Sequence, residues 1–329
     1  MFQSFSYRSY YYFSRLDAGR QAVYRALLSG MEGFAPEIKL PLVSMDDITL
    51  IINYILLDNP AIFYITSFSR ISGASGNSCS VRPDYQYPQA FIREKVHEVE
   101  RYLCVFDAAK KRSEADKERY VHDYCLAHFC YDHAFGEYAY SVLGPILRQS
   151  AVCEGIAKFV KLALDYLQVK SLVASGHAIH PANNATMEGH AWNIVRIEGK
   201  NYHLDVTFDM TLKGKRNRYD YYNLSDKEIK RDHVIEGELP ECGTEGGDYF
   251  SANSLVAHNR KELEKQISEK LRSGQRSMTV KLANVEDTEA ITERLLSIAT
   301  EQYEKACVGD VTVKLSYNPT QLVFEIDFV

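Results

Sequence analysis

The chain has 329 residues and a net charge of −6, with 46% hydrophobic and 25% charged residues. This length exceeds that of most single domains and predicts two or three packed units with ordinary hydrophobic cores. Lysine and arginine are spread along the chain and are outnumbered by acidic residues, 38 against 44. This balance argues against nucleic acid as a main partner.

No apolar run reaches the about 18 residues that a membrane-spanning helix needs. The aromatic and polar start of the chain lacks the apolar stretch of a signal peptide. We therefore expect a cytoplasmic protein if Met1 is native, and an extracellular or cell-surface protein if a leader has been removed. Seven cysteines are an odd number, which excludes a complete disulfide framework and favours reduced thiols.

The sequence pattern of residues 1–85 predicts a small α+β unit with elements in the order helix, strand, helix, strand, strand. The predicted elements lie at 17–31, 37–42, 45–57, 61–66 and 78–85. Ser44 is the predicted N-cap of the second helix, which has acidic residues in its first turn. A Gly/Ser-rich turn at 72–77 joins the last two strands.

Residues 86–250 form the predicted central unit, which carries the chemistry. Helices at 88–106 and 113–129 precede a loop, a helix that begins at Cys153, and a strand-rich segment from 171 to about 209. After Cys153, apolar residues recur with the spacing of a helix face that is buried from end to end. These residues are Ile156, Phe159, Val160, Ala163, Leu164 and Leu167.

Residues 251–329 repeat the order of the N-terminal unit. Helices are predicted at 255–271 and 287–307, and strands at 277–282, 310–316 and 321–328. An internal duplication and two unrelated small units both fit this order. The weak sequence identity between the two ends favours the second alternative.

Cys153 stands at the N-terminus of the central helix. The helix dipole and the unpaired amides of the first turn favour a thiolate there. Glu154 adds negative charge next to the thiol, so a nearby imidazolium is needed to offset it. Taken alone, Cys153 fits an inert buried thiol better than a nucleophile.

Downstream of Cys153, strands at 190–197 and 201–208 are predicted to form a hairpin. One face is apolar, and the other carries His190, Trp192, Arg196, His203, Asp205, Thr207 and Asp209. A two-residue loop places Trp192 opposite Asp205 and His190 on the diagonal, where backbones are about 7–8 Å apart.

Asp205 can then bind one nitrogen of the His190 ring and leave the other facing the Cys153 thiol. Each residue alone has an ordinary structural explanation. Together they form the nucleophile, base and orienter of covalent acyl chemistry.

Three segments resemble the transglutaminase-like superfamily, whose core is related to papain-like cysteine proteases. They are 151–158, 189–195 and 202–209, in the family's order, and the resemblance extends less sharply to 121–125, 131–132, 222–226 and 232–233. The resemblance covers about half of the chain. It implies a bacterial-type multidomain member of α+β class, in which a helix carrying Cys153 packs on an antiparallel sheet carrying His190 and Asp205. Two small α+β modules would flank this core.

By the same resemblance Cys153 is the nucleophile, His190 the base and acid, and Asp205 the orienter. The Cys153 amide is the first oxyanion donor, a contact worth about 3–4 kcal/mol of barrier. Tyr140 and Gln149 are weaker candidates for the second donor. Trp192 is expected in the cleft, shielding the hydrogen bond beneath it, or in the core.

Two departures from the family pattern affect the shape of the substrate pocket more than the triad. Phe208 stands where many members carry Trp, and Pro145 follows Gly144 in a segment that is usually less constrained.

We expect a cysteine hydrolase, a peptidase or amidase, that acts on a protein or peptide substrate without a cofactor. Two alternatives stay open. A transamidase would resolve the thioester with an amine and cross-link proteins, and a non-catalytic module would bind a peptide or a cell-surface polymer. Calcium is not implied, because no acidic loop has suitable ligand spacing.

Two further features of the central unit have ordinary alternatives. His122, Cys125, His128, Cys130 and His133 suggest a metal cluster, but one helix with this spacing cannot bring four zinc ligands together. Residues 177–189 contain Pro, Asn and Gly directly before His190. This composition suits a mobile lid over the cleft or an ordinary surface loop.

Overall fold

The computed structural model describes residues 9–72, 78–180, 186–283, 288–307 and 309–329. Helices and largely antiparallel sheets alternate along the chain, so the expected mixed α and β class is confirmed. Within the described ranges, no helix is both long enough and apolar enough to cross a lipid bilayer.

The N-terminal part packs helices on a three-stranded antiparallel sheet. Its elements are α1 (Tyr11–Ser14), α2 (Ala18–Glu32), β1 (Ile38–Pro41), α3 (Met45–Asp58), β2 (Ile65–Ser72) and β3 (Ser78–Tyr85). The strand order is β1-β3-β2, and Ser44 caps α3 by accepting from the Asp47 amide at 3.1 Å, as predicted. The second strand begins at Ile65 instead of residue 61, because a turn closed by Asn59 and Ile62 precedes it.

The central part is built around one helix and a five-stranded sheet. Its helices are α4 (Gln89–Leu103), α5 (Glu114–His128), α6 (Cys153–Tyr166), α7 (Val206–Leu212), α8 (Asp226–Ile229) and α9 (Tyr249–Ala252). Its strands are β4 (Cys130–Tyr131), β5 (Ser150–Ala151), β6 (Lys170–Ile179), β7 (Met187–Ile197), β8 (Lys200–Leu204), β9 (Tyr222–Leu224) and β10 (His233–Ile235). The main sheet is antiparallel in the order β10-β6-β7-β8-β9, and β4 and β5 form a separate ladder. A 3₁₀ turn (Cys104–Ala109) follows α4, and a π-helical turn (Gly144–Arg148) precedes α6.

Helix α6 lies in the centre of the largest hydrophobic cluster and packs on β6 and β7. The six apolar side chains predicted for its buried face are all at most 1% exposed. Burial of each large apolar side chain contributes about 1.5–3 kcal/mol. Packing therefore fixes the helix that begins at Cys153.

The hairpin of β7 and β8 has the predicted register, with Ile197 opposite Lys200 and Asn193 opposite Leu204. The predicted continuation of the second strand to residue 208 is wrong. Strand β8 ends at Leu204, and Asp205 caps α7 by accepting from the Phe208 amide at 3.0 Å. An aspartate that satisfies a first-turn amide favours a helix start, and this outweighs the strand preference of the residues after it. The sheet thus carries His190, whereas Asp205 lies one residue beyond the sheet.

The C-terminal part has a four-stranded sheet covered by two helices. Its elements are β11 (Val256–Ala257), α10 (Arg260–Arg272), β12 (Ser277–Leu282), α11 (Thr288–Ala306), β13 (Val313–Asn318) and β14 (Val323–Phe328). The helix predicted from residue 255 begins only at Arg260, because residues 256–257 pair with β12 as a short parallel strand. The order β12-β14-β13 repeats the order β1-β3-β2 of the N-terminal part, which fits an internal duplication.

The N-terminal part contacts α6 and the main sheet through buried polar groups. Tyr12 donates its hydroxyl to the Val173 carbonyl at 2.6 Å, and Ser9 donates to Asp165 at 2.9 Å. Asp165 also pairs with the buried Lys161 of α6 at 2.6 Å. Because buried charges need partners, these contacts hold the N-terminal residues against the helix.

The C-terminal part contacts the central part through ion pairs. Arg218 pairs with Asp220 at 2.6 Å and with Glu325 at 3.2 Å, and it is only 3% exposed. Lys281 of β12 pairs with Glu228 of α8 at 2.6 Å. The predicted unit boundaries at residues 85 and 250 remain a prediction, since contacts connect all three parts.

Candidate active site

Cys153 is the first residue of α6, and its position depends on a close contact behind it. The Val152 amide donates to the Ala139 carbonyl at 3.1 Å. A Cβ atom on Gly155 would lie 2.3 Å from the same carbonyl oxygen. Glycine at this position therefore allows the loop around Ala139 to lie against the first turn of α6.

The structure brings the three predicted triad residues together. His190 of β7 donates from Nε2 to Asp205 Oδ2 at 2.7 Å, and its ring lies close enough to Cys153 for the two groups to interact. Since Nε2 is occupied by Asp205, Nδ1 is the ring nitrogen that remains for Cys153. The side chains of His190 and Asp205 are 8% and 0% exposed, so solvent screens this chain of contacts weakly.

The charges at the site favour an imidazolium at His190. Burial would lower the pKa of His190, but the Asp205 carboxylate and the contact to Cys153 raise it to about 10. Burial would raise the pKa of Asp205, but His190 and His233 hold it well below its usual value. The site thus places a cation beside Cys153, the arrangement found at reactive cysteines.

Two aromatic side chains enclose the His190 ring. The Trp192 ring is nearly parallel to it, at 16° and 6.1 Å, and the Phe208 ring lies 4.5 Å away. Trp192 is 1% exposed and donates its indole N–H to His203 Nδ1 at 3.0 Å. Trp192 is therefore a buried packing residue beside His190 and is not available as an oxyanion donor.

Tyr140 and Gln149, the predicted candidates for the second oxyanion donor, are both exposed. Gln149 has a left-handed backbone, with φ of 54°, and its carbonyl accepts from the Cys130 amide at 3.0 Å. Among the described residues, no side-chain hydrogen bond directs either residue to Cys153. Their role therefore stays a prediction.

Tyr131 is a donor candidate that the sequence analysis missed. It is half-buried, lines the cavity beside His190, and lies close enough to Cys153 for their charges to interact. Burial, then the charges of Cys153 and Glu188, raise the pKa of Tyr131 to about 12. Its phenol therefore keeps its proton and can donate it in a hydrogen bond at neutral pH.

A cavity of about 920 Å³ lies over His190 and Phe208. Phe135 on its wall is 59% exposed and stacks on Tyr140 at 6.5 Å. His180, Glu188 and other residues at both ends of the predicted lid loop line the cavity. Residues 181–185 of that loop lie outside the described residues, so the lid remains a prediction.

The residues of the suspected metal cluster have separate environments. His122 is fully buried between Asp123 and Asp209, at 3.1 and 3.0 Å, whereas Cys130 and His133 line the cavity. His128 bonds the Tyr124 carbonyl within its own helix. These contacts agree with packing and hydrogen-bonding roles.

The possible ligand atoms of His203, Asp226 and Cys242 lie within 4.8 Å of one another, a spacing compatible with a metal site. Because His203 Nδ1 accepts the indole N–H of Trp192, the proton of this neutral ring is on Nε2. Nε2 then donates to Asp226 at 2.9 Å and offers no lone pair to a metal. The donor set does not fit a metal ion.

Sequence reasoning gave no role to Asp232 and His233, although both belong to the weaker part of the resemblance. His233 donates from Nε2 to Asp205 Oδ2 at 3.1 Å, and its Nδ1 faces Asp232 at 2.6 Å. Only the pairing of β10 with β6, where His233 lies opposite Ala178, brings them to the site. No local sequence pattern reveals that long-range pairing.

Comparison with known proteins gives matches at the level of structure alone. No family model and no curated protein matches the chain. A transglutaminase of known structure aligns at 17% identity over 52% of this chain and 50% of its own, with a TM-score of 0.28. A candidate cysteine protease from Cytophaga hutchinsonii aligns at 13% identity over 43% of this chain and 61% of its own, with a TM-score of 0.25. The chain thus spans about half to three-fifths of the length of these two proteins.

Proposed function

We propose that this protein is a cysteine-nucleophile hydrolase that cleaves a peptide or carboxamide bond through a thioester. The observation that carries the proposal is the grouping of Cys153, His190 and Asp205. His190 bonds Asp205 at 2.7 Å, lies next to Cys153 and borders the 920 Å³ cavity. A nucleophile, a base and an orienting carboxylate in contact are the parts that acyl transfer requires.

In the proposed acylation step, these groups act in turn. The Cys153 thiolate attacks the carbonyl carbon, and the oxygen that becomes negative turns to the Cys153 amide at the start of α6, with Tyr131 as a second donor. His190 gives its Nδ1 proton to the amine nitrogen as the C–N bond breaks. The amine leaves, a thioester remains on Cys153, and His190 is neutral.

Deacylation uses the same groups in reverse. Neutral His190 takes a proton from water, and the oxygen attacks the thioester carbonyl. The C–S bond breaks, a carboxylic acid product leaves, and Cys153 returns to the thiolate beside protonated His190. Asp205 holds the ring in one orientation and balances its charge in both steps.

Water is the favoured acceptor because the cavity beside His190 is wide and bordered by exposed side chains such as Phe135. These features exclude water poorly, and water at its bulk concentration competes well with amines. A protein or peptide is the proposed substrate. Amine transfer to a glutamine side chain would use the same thioester.

The first test is selective alkylation of Cys153. A small alkylator is applied at about pH 6, below the pKa of about 8.5 of an ordinary thiol, and labelled cysteines are identified by mass spectrometry. Cys104 and Cys130 are exposed and serve as internal controls. We expect fast labelling of Cys153 in the wild type and slow labelling in His190→Ala. Equal labelling of the three cysteines, or labelling unchanged in the variant, would contradict the proposal.

Product analysis separates the two enzyme hypotheses. Release of ammonia or of a free amine from peptide carboxamides, without incorporation of an added primary amine, supports hydrolysis. Efficient incorporation of the amine into a glutamine-containing protein would assign the site to transamidation. Fast alkylation of Cys153 without hydrolysis and without amine incorporation would favour a binding module.

A further inference from the structure

Behind the triad, a second histidine contacts the same carboxylate oxygen as His190. His233, on the edge strand β10, donates to Asp205 Oδ2 at 3.1 Å, and His190 donates to that oxygen at 2.7 Å. The other oxygen of Asp205 accepts from the Phe208 amide at 3.0 Å. The carboxylate is thus held at both oxygens and cannot rotate away from His190.

The surroundings of His233 determine its charge. Its side chain is 0% exposed, and its two ring nitrogens face the carboxylates of Asp205 and Asp232. An ionised carboxylate only accepts hydrogen bonds, so the ring donates from both nitrogens and is an imidazolium. Burial would lower the pKa of His233, but the two carboxylates raise it.

Asp232 is itself fixed by partners from two other parts of the chain. The Tyr221 hydroxyl donates to Asp232 Oδ2 at 2.5 Å, and Gln321, in the turn between β13 and β14, approaches that oxygen at 3.5 Å. Asp232 is 6% exposed. The pair of Asp232 and His233 is therefore a built and enclosed ion pair.

Aromatic and titratable side chains surround the rings of His233 and His190. Around His233 are His190 at 5.4 Å and Trp192 at 5.0 Å from β7, Phe208 at 4.9 Å from α7, and Tyr221 at 5.8 Å next to β9. His203, behind Trp192, interacts with the charge of His233. Around His190 the further titratable groups are Cys153, Asp205 and His180.

We infer that Asp232 and His233 are positioning residues for the proposed hydrolase, which hold Asp205 toward His190 and limit the basicity of His190. The inference rests on the proposed function. A positive charge 5.4 Å from the His190 ring opposes protonation of that ring. The proton of His190 is therefore released more readily to a leaving amine.

The experiment is an NMR titration of the histidine rings, which requires no turnover. In the wild type we expect His233 to remain protonated through neutral pH. In His233→Gln, which keeps a donor toward Asp205 but removes the charge, the pKa of His190 rises by about one unit. In Asp232→Asn the pKa of His233 falls, because one of its two carboxylates is lost.

Kinetics and a matched control variant distinguish a change in the pKa of His190 from a general loss of structure. In His233→Gln the alkaline limb of the pH profile of turnover moves to higher pH together with the pKa of His190. The kcat falls by about tenfold while KM is retained. His203→Gln replaces another buried histidine that contacts a carboxylate but not Asp205, and it leaves the titration of His190 unchanged. A neutral His233 in the wild type, or an unshifted His190 in folded His233→Gln, would overturn the inference. Alkylation of Cys153 that is independent of His190 would instead reject the proposed function, and the titration would still decide on the ion pair.

Discussion

Asp205 accepts the amide hydrogen of Phe208 at 3.0 Å, so the residue that orients His190 is also the N-cap of helix α7. The two oxygens of one carboxylate divide these tasks between them. The start of the helix and the geometry of the triad are therefore coupled, and substitutions of Asp205 can separate the two.

Asp205→Asn is expected to keep the cap but to lose the triad charge. Asparagine caps helices about as well as aspartate, so stability changes little at the start of α7. Turnover falls by about a thousandfold or more, because a neutral amide no longer balances the His190 imidazolium. Asp205→Ala loses the cap as well, at a further cost of about 0.5–2 kcal/mol in urea unfolding. Equal stability of the two variants would refute the capping role.

Tyr131→Phe tests the second oxyanion donor. The variant removes one hydroxyl from the cavity wall and leaves the ring in place, so we expect native stability and unchanged alkylation of Cys153. Turnover is expected to fall by about a hundredfold, the usual effect of losing one oxyanion donor. Tyr140→Phe and Gln149→Ala are the matched comparisons. A larger loss in either one would assign the role to that residue.

Gly155→Ala is expected to displace the loop that lies against the first turn of α6. The new methyl group would meet the Ala139 carbonyl oxygen at 2.3 Å, and overpacking of this kind costs about 1–3 kcal/mol. Thermal unfolding and Cys153 alkylation should both be impaired. Gly214→Ala is the control, because a Cβ atom there meets no described atom within 4 Å. Loss of stability in the control alone would disprove this account.

The stability of the fold is expected to decline at alkaline pH, partly through His122. Burial would lower the pKa of His122, but Asp123 and Asp209 raise it to about 9. Its contribution is complete below about pH 6.5, the usual pKa of histidine, and is lost as the pH rises through about 9.

Urea unfolding at about pH 6 and about pH 9.5 measures this loss, which is on the order of a few kcal/mol. His122→Gln should be less stable at the lower pH and should show a flatter dependence on pH. His128→Gln, which changes an exposed histidine on the same helix, should behave like the wild type. A wild-type slope in His122→Gln would exclude His122 as the source.

The ion pair of Lys161 and Asp165 gives a double-mutant test. Both side chains are at most 2% exposed, so Lys161→Met leaves an unpaired buried carboxylate and is expected to cost about 3–5 kcal/mol. Adding Asp165→Leu removes that carboxylate and should restore much of the stability. Unfolding free energies of the two single variants and the double variant measure the coupling. Simple additivity would show that the pair does not interact.

The local parts of the site could be predicted from sequence because they depend on short-range patterns. The apolar spacing after Cys153 defines α6, and a two-residue turn fixes the register that brings the end of β8 close to His190. The sequence predicts the wrong element for Asp205, because the three residues after it suit a strand as well as a helix. Only the capping contact with Phe208 decides between them.

The non-local parts could not be predicted in the same way. His233 reaches Asp205 through a strand pairing between His233 and Ala178, which are 55 positions apart in the chain, and no periodicity encodes that pairing. Tyr131 likewise reaches the cavity because β4 pairs with β5. The matching strand orders of the two terminal sheets also became visible only in three dimensions, since their sequences are dissimilar.

The chain contains one tryptophan, and it lies beside His190 with its indole N–H bound to His203. Since the chain has no second tryptophan, the indole emission of the folded protein arises beside His190, at a ring-centroid distance of 6.1 Å. Ionisation or acylation at the site should therefore change the emission of the native protein. The protein thus contains a natural optical reporter of its own chemistry, and binding or turnover can be followed without a label.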